Sequence, residues 1–134
     1  MAPQAQILFQ DLGDDIGGCL TGEGGGPMWA QAKAVGAFIH SNSYGGSFTG
    51  NYNVQDFAVD DFLWRNEDML LVFAAGNAGG QPGDQRVFHF GHAKHGLTVA
   101  ANNRGNNPTL WPLSSRGPAS VSYTHLTLPT IYSV

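Results

Sequence analysis

Ten residues in the middle of the chain, Leu71 to Gly80, read LVFAAGNAGG. An apolar run passes into Ala-Ala-Gly and stops on Asn77. A buried strand commonly ends in a turn residue, and Asn-Ala-Gly-Gly supplies one. A side-chain amide at the end of a parallel strand also sits where α/β folds place their chemistry, in the crevice beyond the carboxyl ends of the strands. On strand and turn chemistry alone, the turn role is the simpler of the two.

Three other groupings could do chemistry. His89, His92 and His95 recur every three residues in HFGHAKH, and imidazoles suit Zn²⁺ or Cu²⁺. Gly91 interrupts any helix through them, so the spacing does not put the rings on one face. They read as solvated loop histidines, with any metal affinity incidental. Asp11, Asp14, Asp15 and Glu23 offer oxygens that suit Ca²⁺, but without EF-hand spacing. Gly22 to Gly26, GEGGG, precedes a helix as phosphate-binding loops do, yet it has neither the GxGxxG spacing nor a P-loop lysine. No metal ligand is assigned on these grounds.

The elements that must position such residues follow from pattern and punctuation. Gln6 to Gln10, QILFQ, reads as a short strand, followed by a glycine-rich loop. Pro27 suits the first turn of a helix that Met28 to Val35 continues and Gly36 stops. Ala37 to Ser43 reads as a second strand. A helix spans YNVQDFAVDDFLWRN, with Asn51 or Asn53 as its cap. Val54, Phe57, Ala58 and Phe62 form its apolar stripe, and Asp60 and Asp61 lie off it. Met69 to Ala75 is apolar throughout, as a strand buried on both faces should be. A long loop from Asn77 to His95 leads to a fourth strand, Gly96 to Ala101. Alternation of strand and helix predicts an α/β fold with a parallel sheet.

Three segments, in this order and approximate spacing, resemble the subtilisin-like serine proteases of peptidase family S8: MAPQAQILFQ, HSNSYGG and LLVFAAGNAGG. GLTVAANN followed by LSSRGP extends the likeness, which is greatest to the oxidatively stable alkaline protease branch. The resemblance covers nearly all of residues 1–118. It implies a partial subtilisin-like three-layer fold, a mostly parallel sheet flanked by helices, over residues 1–120. It implies hydrolysis of peptide bonds by an Asp/His/Ser triad. Asn77 then corresponds to the side-chain donor that stabilises the oxyanion. Ser43, Tyr44 and Gly45 correspond to the strand that pairs with extended substrate. Ala74, Ala75 and Gly76 form the opposite wall of the pocket for the residue before the cut. Tyr44 stands where relatives carry Leu or Trp, and so borders a pocket.

The triad itself is expected outside the chain. Neither an Asp-Thr-Gly-like strand nor His-Gly-Thr-His occurs here, and no serine stands in Gly-Thr-Ser-Met-Ala. None of His40, His89, His92, His95 or His125 has the family's catalytic context. Met1 corresponds to an internal methionine of relatives. The chain alone is therefore expected to be inactive, and the missing segments of its own domain are an expected partner. A peptide or protein in extended conformation is the expected substrate. No cofactor is required for the chemistry; the family resemblance allows calcium as a structural ion. It also implies secretion, although residues 1–10 carry no signal peptide.

Bulk properties agree with a piece of a larger domain. In 134 residues, charged side chains make up 12%, low for the surface of a free-standing domain. Lys and Arg number 6 against 10 Asp and Glu, so no basic patch invites nucleic acid. No apolar run is long enough to span a membrane, and the single Cys19 precludes an intrachain disulfide. From Val121 the text changes to VSYTHLTLPTIYSV. Val121 to Thr130 is, letter for letter, the translation of a transposase-based sequencing adapter. Residues 121–134 are expected to be a non-native, adapter-encoded tail. Two readings of another class stay open: a non-catalytic α/β peptide-binding module using the edge at Ser43 to Gly45, and a small metal-binding domain using the three histidines.

Overall fold

The computed structural model describes residues 3–13, 25–46, 51–80, 87–103 and 109–117. Within them the chain forms α1 (Gly26–Ala34), β1 (Ile39–Asn42), α2 (Val54–Arg65), β2 (Leu70–Ala74) and β3 (Leu97–Val99). The three strands make one parallel sheet in the order β1-β2-β3. Asn42 pairs in register with Phe73, and Ala74 with Val99. The arrangement is the expected α/β class.

Local chemistry explains the helices. Pro27 lies in the first turn of α1, where its missing N–H costs no hydrogen bond. Gly36 ends the helix at φ 88°, and its N–H bonds the Lys33 carbonyl at 2.9 Å. Asn53 caps α2: its side chain accepts from Gln55 N at 2.8 Å and Asp56 N at 3.2 Å, while Asp56 Oδ2 accepts from Asn53 N at 3.0 Å. This reciprocal box satisfies donors that a helix start leaves unpaired.

Both helices pack on one face of the sheet. Trp29 of α1, Val59 and Leu63 of α2, and Leu71 and Phe73 of β2 form the core with Met28, Met69, Phe90 and Ala93. Trp29 meets Phe62 at 5.3 Å and Phe73 at 6.2 Å between ring centroids, and Phe73 stacks on Phe90 at 5.4 Å.

Three expectations are corrected. Gln6 to Gln10 is not a strand: Ile7 and Phe9 are 89% and 84% exposed, and among the described residues the run has no strand beside it to complete a ladder. β2 is buried on one face only, since Leu71 and Phe73 face the helices while Leu70 is exposed. The apolar stripe of α2 is rotated. Val54 and Phe57 are 76% and 58% exposed, and the buried residues are Asp56, Val59, Asp60 and Leu63. The two carboxylates turn inward because backbone donors of residues 92–95 need acceptors there.

Candidate functional site

Two segments leave the carboxyl ends of neighbouring parallel strands. Ser43 to Gly45 follows β1 and Ala75 to Asn77 follows β2. The sheet register therefore brings the two predicted walls side by side, at the end where parallel sheets bind ligands. Buried Asn42 fixes the exit of β1, its Nδ2 donating to Val72 O and His40 O, both at 3.1 Å.

The Asn77 segment is held from both sides. Ala75 N donates to Val99 O at 2.9 Å, and Ala75 O accepts from Phe88 N at 3.0 Å. Gly76 O accepts from Ser115 N at 2.9 Å. Ala78 N donates to the Ser115 hydroxyl at 3.0 Å. Ser115 is fully buried; a hydroxyl that accepts from one residue while its own N–H donates to another staples the turn at two points. The next serine extends the staple, Ser114 Oγ accepting from Ala101 N at 3.1 Å. Between these anchors Asn77 is exposed and Ala75 and Gly76 are buried. Sequence reasoning used Ser114 and Ser115 only as landmarks; their clamping role becomes visible once Gly76 and Ser115 are neighbours.

Phe88 is the residue sequence reasoning missed. A Cβ placed on Gly76 would lie 2.6 Å from its ring, and one on Gly45 would lie 2.8 Å from its Cβ. The aromatic side chain thus touches both walls, and each wall is glycine where it meets the ring. Gly76 also has φ 106°, a conformation that side chains rarely adopt. Tyr44 packs edge-on against Phe90 at 5.8 Å and lines the cavity beside α1 and β1. Burial raises the Tyr44 phenol above its usual range, partly offset by the Trp29 indole.

A tight turn at 88–92 carries Phe88. Gly91 N bonds Phe88 O at 3.1 Å, and Thr98 Oγ1 donates to Gly91 O at 2.9 Å. Phe90 has φ 73°, a strained value for a bulky residue. Its ring is held in the core by Phe73 and Trp29, so burial offsets the strain. α2 anchors the same segment. Asp56 Oδ1 accepts from His92 N at 3.1 Å, and Asp60 Oδ1 accepts from Lys94 N at 2.8 Å and His95 N at 2.9 Å. Burial alone would raise the Asp56 carboxyl; the His92 ring and the backbone N–H groups of Asn53 and His92 outweigh it and hold it below the usual carboxylate range.

The three histidines do not act alike, which corrects the expectation of solvated loop residues. His89 and His92 are buried against Asp56, while His95 is exposed and its Nδ1 lies 3.0 Å from Asp60 Oδ1. Of the predicted acidic loop, Asp14, Asp15 and Glu23 lie outside the described residues; Asp11 Oδ1 accepts from Gly13 N at 2.9 Å. A cavity of about 680 Å³ lies between residues 6–10, α1 and β1, lined by Leu8, Phe9, Met28, Ile39 and His40 among others. Asn77, Gly45 and Gly76 are not part of it. No helix among the described residues is long and apolar enough to cross a membrane.

The described residues thus form a parallel α/β frame in which the ends of β1 and β2 are neighbours and the turn after β2 is clamped. The sequence matches the Subtilase family, Peptidase S8, over residues 1–130, and the chain belongs to that family of serine proteases. The match runs past residue 120 into the segment expected to be a tail. No curated protein matches the chain.

Proposed function

We propose that this chain is the substrate-binding and oxyanion-stabilising portion of a secreted subtilisin-like serine endopeptidase of the alkaline protease branch. The observation that carries the reading is the clamped turn. Asn77 is exposed between backbone groups fixed to Phe88, Val99 and Ser115, which sets its amide on a turn held from both sides. That is the requirement for stabilising a developing oxyanion. Extended substrate lies along Ser43 to Gly45, exchanging backbone hydrogen bonds, and the side chain before the cut enters between Gly45 and Gly76. Phe88 stands in that space and limits it to small side chains. The nucleophilic serine and its histidine and aspartate come from segments with the family's motifs, none of which occurs in this sequence. The chain alone then has no activated nucleophile and does not hydrolyse peptides.

The free edge of β1 supports the missing segments as partner. Among the described residues β1 has no neighbour on that side, and the adjoining cavity is lined by Ile7, Leu8, Phe9 and Ile39, as a slot for a further strand would be. The chemistry needs no cofactor, and calcium enters this reading as a structural ion only. Residues 121–134 are proposed as the adapter-encoded tail, on the letter-for-letter match of Val121 to Thr130. Raw reads that continue untrimmed into ordinary genomic sequence would refute that.

The experiment is recovery of the intact gene around this segment. Upstream His-Gly-Thr-His and downstream Gly-Thr-Ser-Met-Ala, in one open frame, support the peptidase. Intact flanks lacking both would leave the non-catalytic peptide-binding module.

A further inference from the structure

Asp56, His89 and His92 are three buried side chains whose donor atoms lie within 4.8 Å of one another. His92 Nδ1 is 3.5 Å and His89 Nδ1 is 3.8 Å from Asp56 Oδ2. His92 is 1% exposed, and neither of its ring nitrogens has a hydrogen-bond partner among the described residues. A buried imidazole with both nitrogens unpaired is costly. Its Nδ1 points toward a carboxylate that is itself fully buried and fixed by two backbone donors, Asn53 N and His92 N.

We propose that these residues form a binding site for a divalent transition cation of the Zn²⁺ class. Two imidazole nitrogens and one carboxylate oxygen are the donor set such ions take in open three-ligand sites, with water in the fourth position. Bonds of about 2.0–2.1 Å in a tetrahedron separate neighbouring donors by about 3.3–3.4 Å. The two distances to Asp56 are within a few tenths of an ångström of that spacing. Ca²⁺ and Mg²⁺ are disfavoured, since both prefer all-oxygen shells.

Asp56 is already held in place by its backbone donors, and His89 has one bond to exchange. Asn53 uses its Oδ1 to cap α2, so the atom 2.7 Å from His89 Nδ1 is its Nδ2 donor. That bond occupies the His89 Nδ1 lone pair when no cation is bound. A cation takes this lone pair and releases the Asn53 amide, leaving the helix cap intact because the cap uses the other atom. His95 is excluded: it is exposed and bound to Asp60. The donors join α2 to the turn that carries Phe88, so a bound cation fastens the element lining the substrate pocket. The proposal does not depend on the proteolytic reading, since the site uses none of the substrate walls.

The test is titration of the whole 134-residue chain with Co²⁺, followed by competition with Zn²⁺. The expected result is one cation per chain, the visible absorption of tetrahedral Co²⁺, and displacement by Zn²⁺. His89→Ala and His92→Ala should each weaken binding by about 10-fold or more, while His95→Ala and His125→Ala leave it unchanged. Because a buried-histidine variant can fail to fold, X-ray absorption of the Zn²⁺-loaded wild-type chain provides a second readout, expected to show two imidazoles and oxygen ligands. Absence of saturable binding, a zinc shell without two imidazoles, or loss of binding on removing His95 or His125 would overturn the proposal.

Discussion

Truncating Phe88 should open the proposed pocket between Gly45 and Gly76. The ring touches both glycines, at 2.6 Å and 2.9 Å from where their β-carbons would stand, and on the proposed reading it leaves no room for a leucine-sized side chain. In the complete peptidase domain, wild type should favour Ala over Leu at the residue before the cut. Phe88→Ala should reverse or erase that preference. Leu carries three more carbons than Ala, and each buried methylene contributes about 0.8 kcal/mol. Full burial of the added carbons is therefore worth about 2.4 kcal/mol, a swing of about 60-fold in relative kcat/KM. The backbone bond from Phe88 N to Ala75 O does not involve the side chain, so the wall itself should hold. The assay is kcat/KM on two peptides that differ only at that residue, with Phe88→Leu as an intermediate. A wild-type enzyme that cleaves after Leu as readily as after Ala, or an unchanged ratio in Phe88→Ala, would refute the reasoning.

Other outcomes follow from the same geometry. Asp60→Ala removes the acceptor for Lys94 N and His95 N and the partner of Tyr52 Oη at 2.8 Å; with these three bonds lost it should cost about 2–4 kcal/mol in denaturant unfolding, and a loss within error would show the loop bonds to be incidental. His40 is held below its ordinary value of 6.5, burial lowering it and Asn42 partly opposing. The folded state thus binds its proton less readily than the unfolded chain, so the His40 contribution is fully present above about pH 6.5 and is lost as pH falls toward the depressed folded value. Stability measured across that window should fall less in His40→Gln, and parallel curves would contradict the assignment. An active-site serine phosphonate should not label the isolated chain; stoichiometric labelling at one serine would show that the chain carries its own activated nucleophile.

Much of the frame was legible because it rests on local chemistry. Pro27 and Gly36 bracket α1 as expected, and Asn53 with Asp56 announces the start of α2. The apolar runs around Leu71 and Leu97 became strands. What failed was non-local. The inward face of α2 is set by Asp56 and Asp60 reaching backbone donors over thirty residues away, which a hydrophobic stripe cannot reveal. Gly91 argued against a shared helix face for the histidines, but a tight turn gathers His89 and His92 without one. Residues 6–10 have strand composition, yet a ladder needs a neighbour. Phe88 lacked any motif; only the meeting of two glycine-bearing segments shows why its size matters.

The central claim is that Asn77 stands just beyond β2 because its amide must donate to an oxyanion. Steady-state kinetics of Asn77→Ala in the complete, triad-bearing domain tests it most directly. kcat should fall about 10²–10³-fold, or about 2.7–4 kcal/mol, with a much smaller change in KM. That magnitude is the one established for subtilisin itself; the sign and the kcat–KM split follow from a donor aligned to the tetrahedral oxygen more than to the ground-state carbonyl. Asn77→Asp should be at least as harmful, since it removes the donor and sets a charge beside a developing anion. A wild-type kcat in Asn77→Ala would make Asn77 a turn residue and contradict the account.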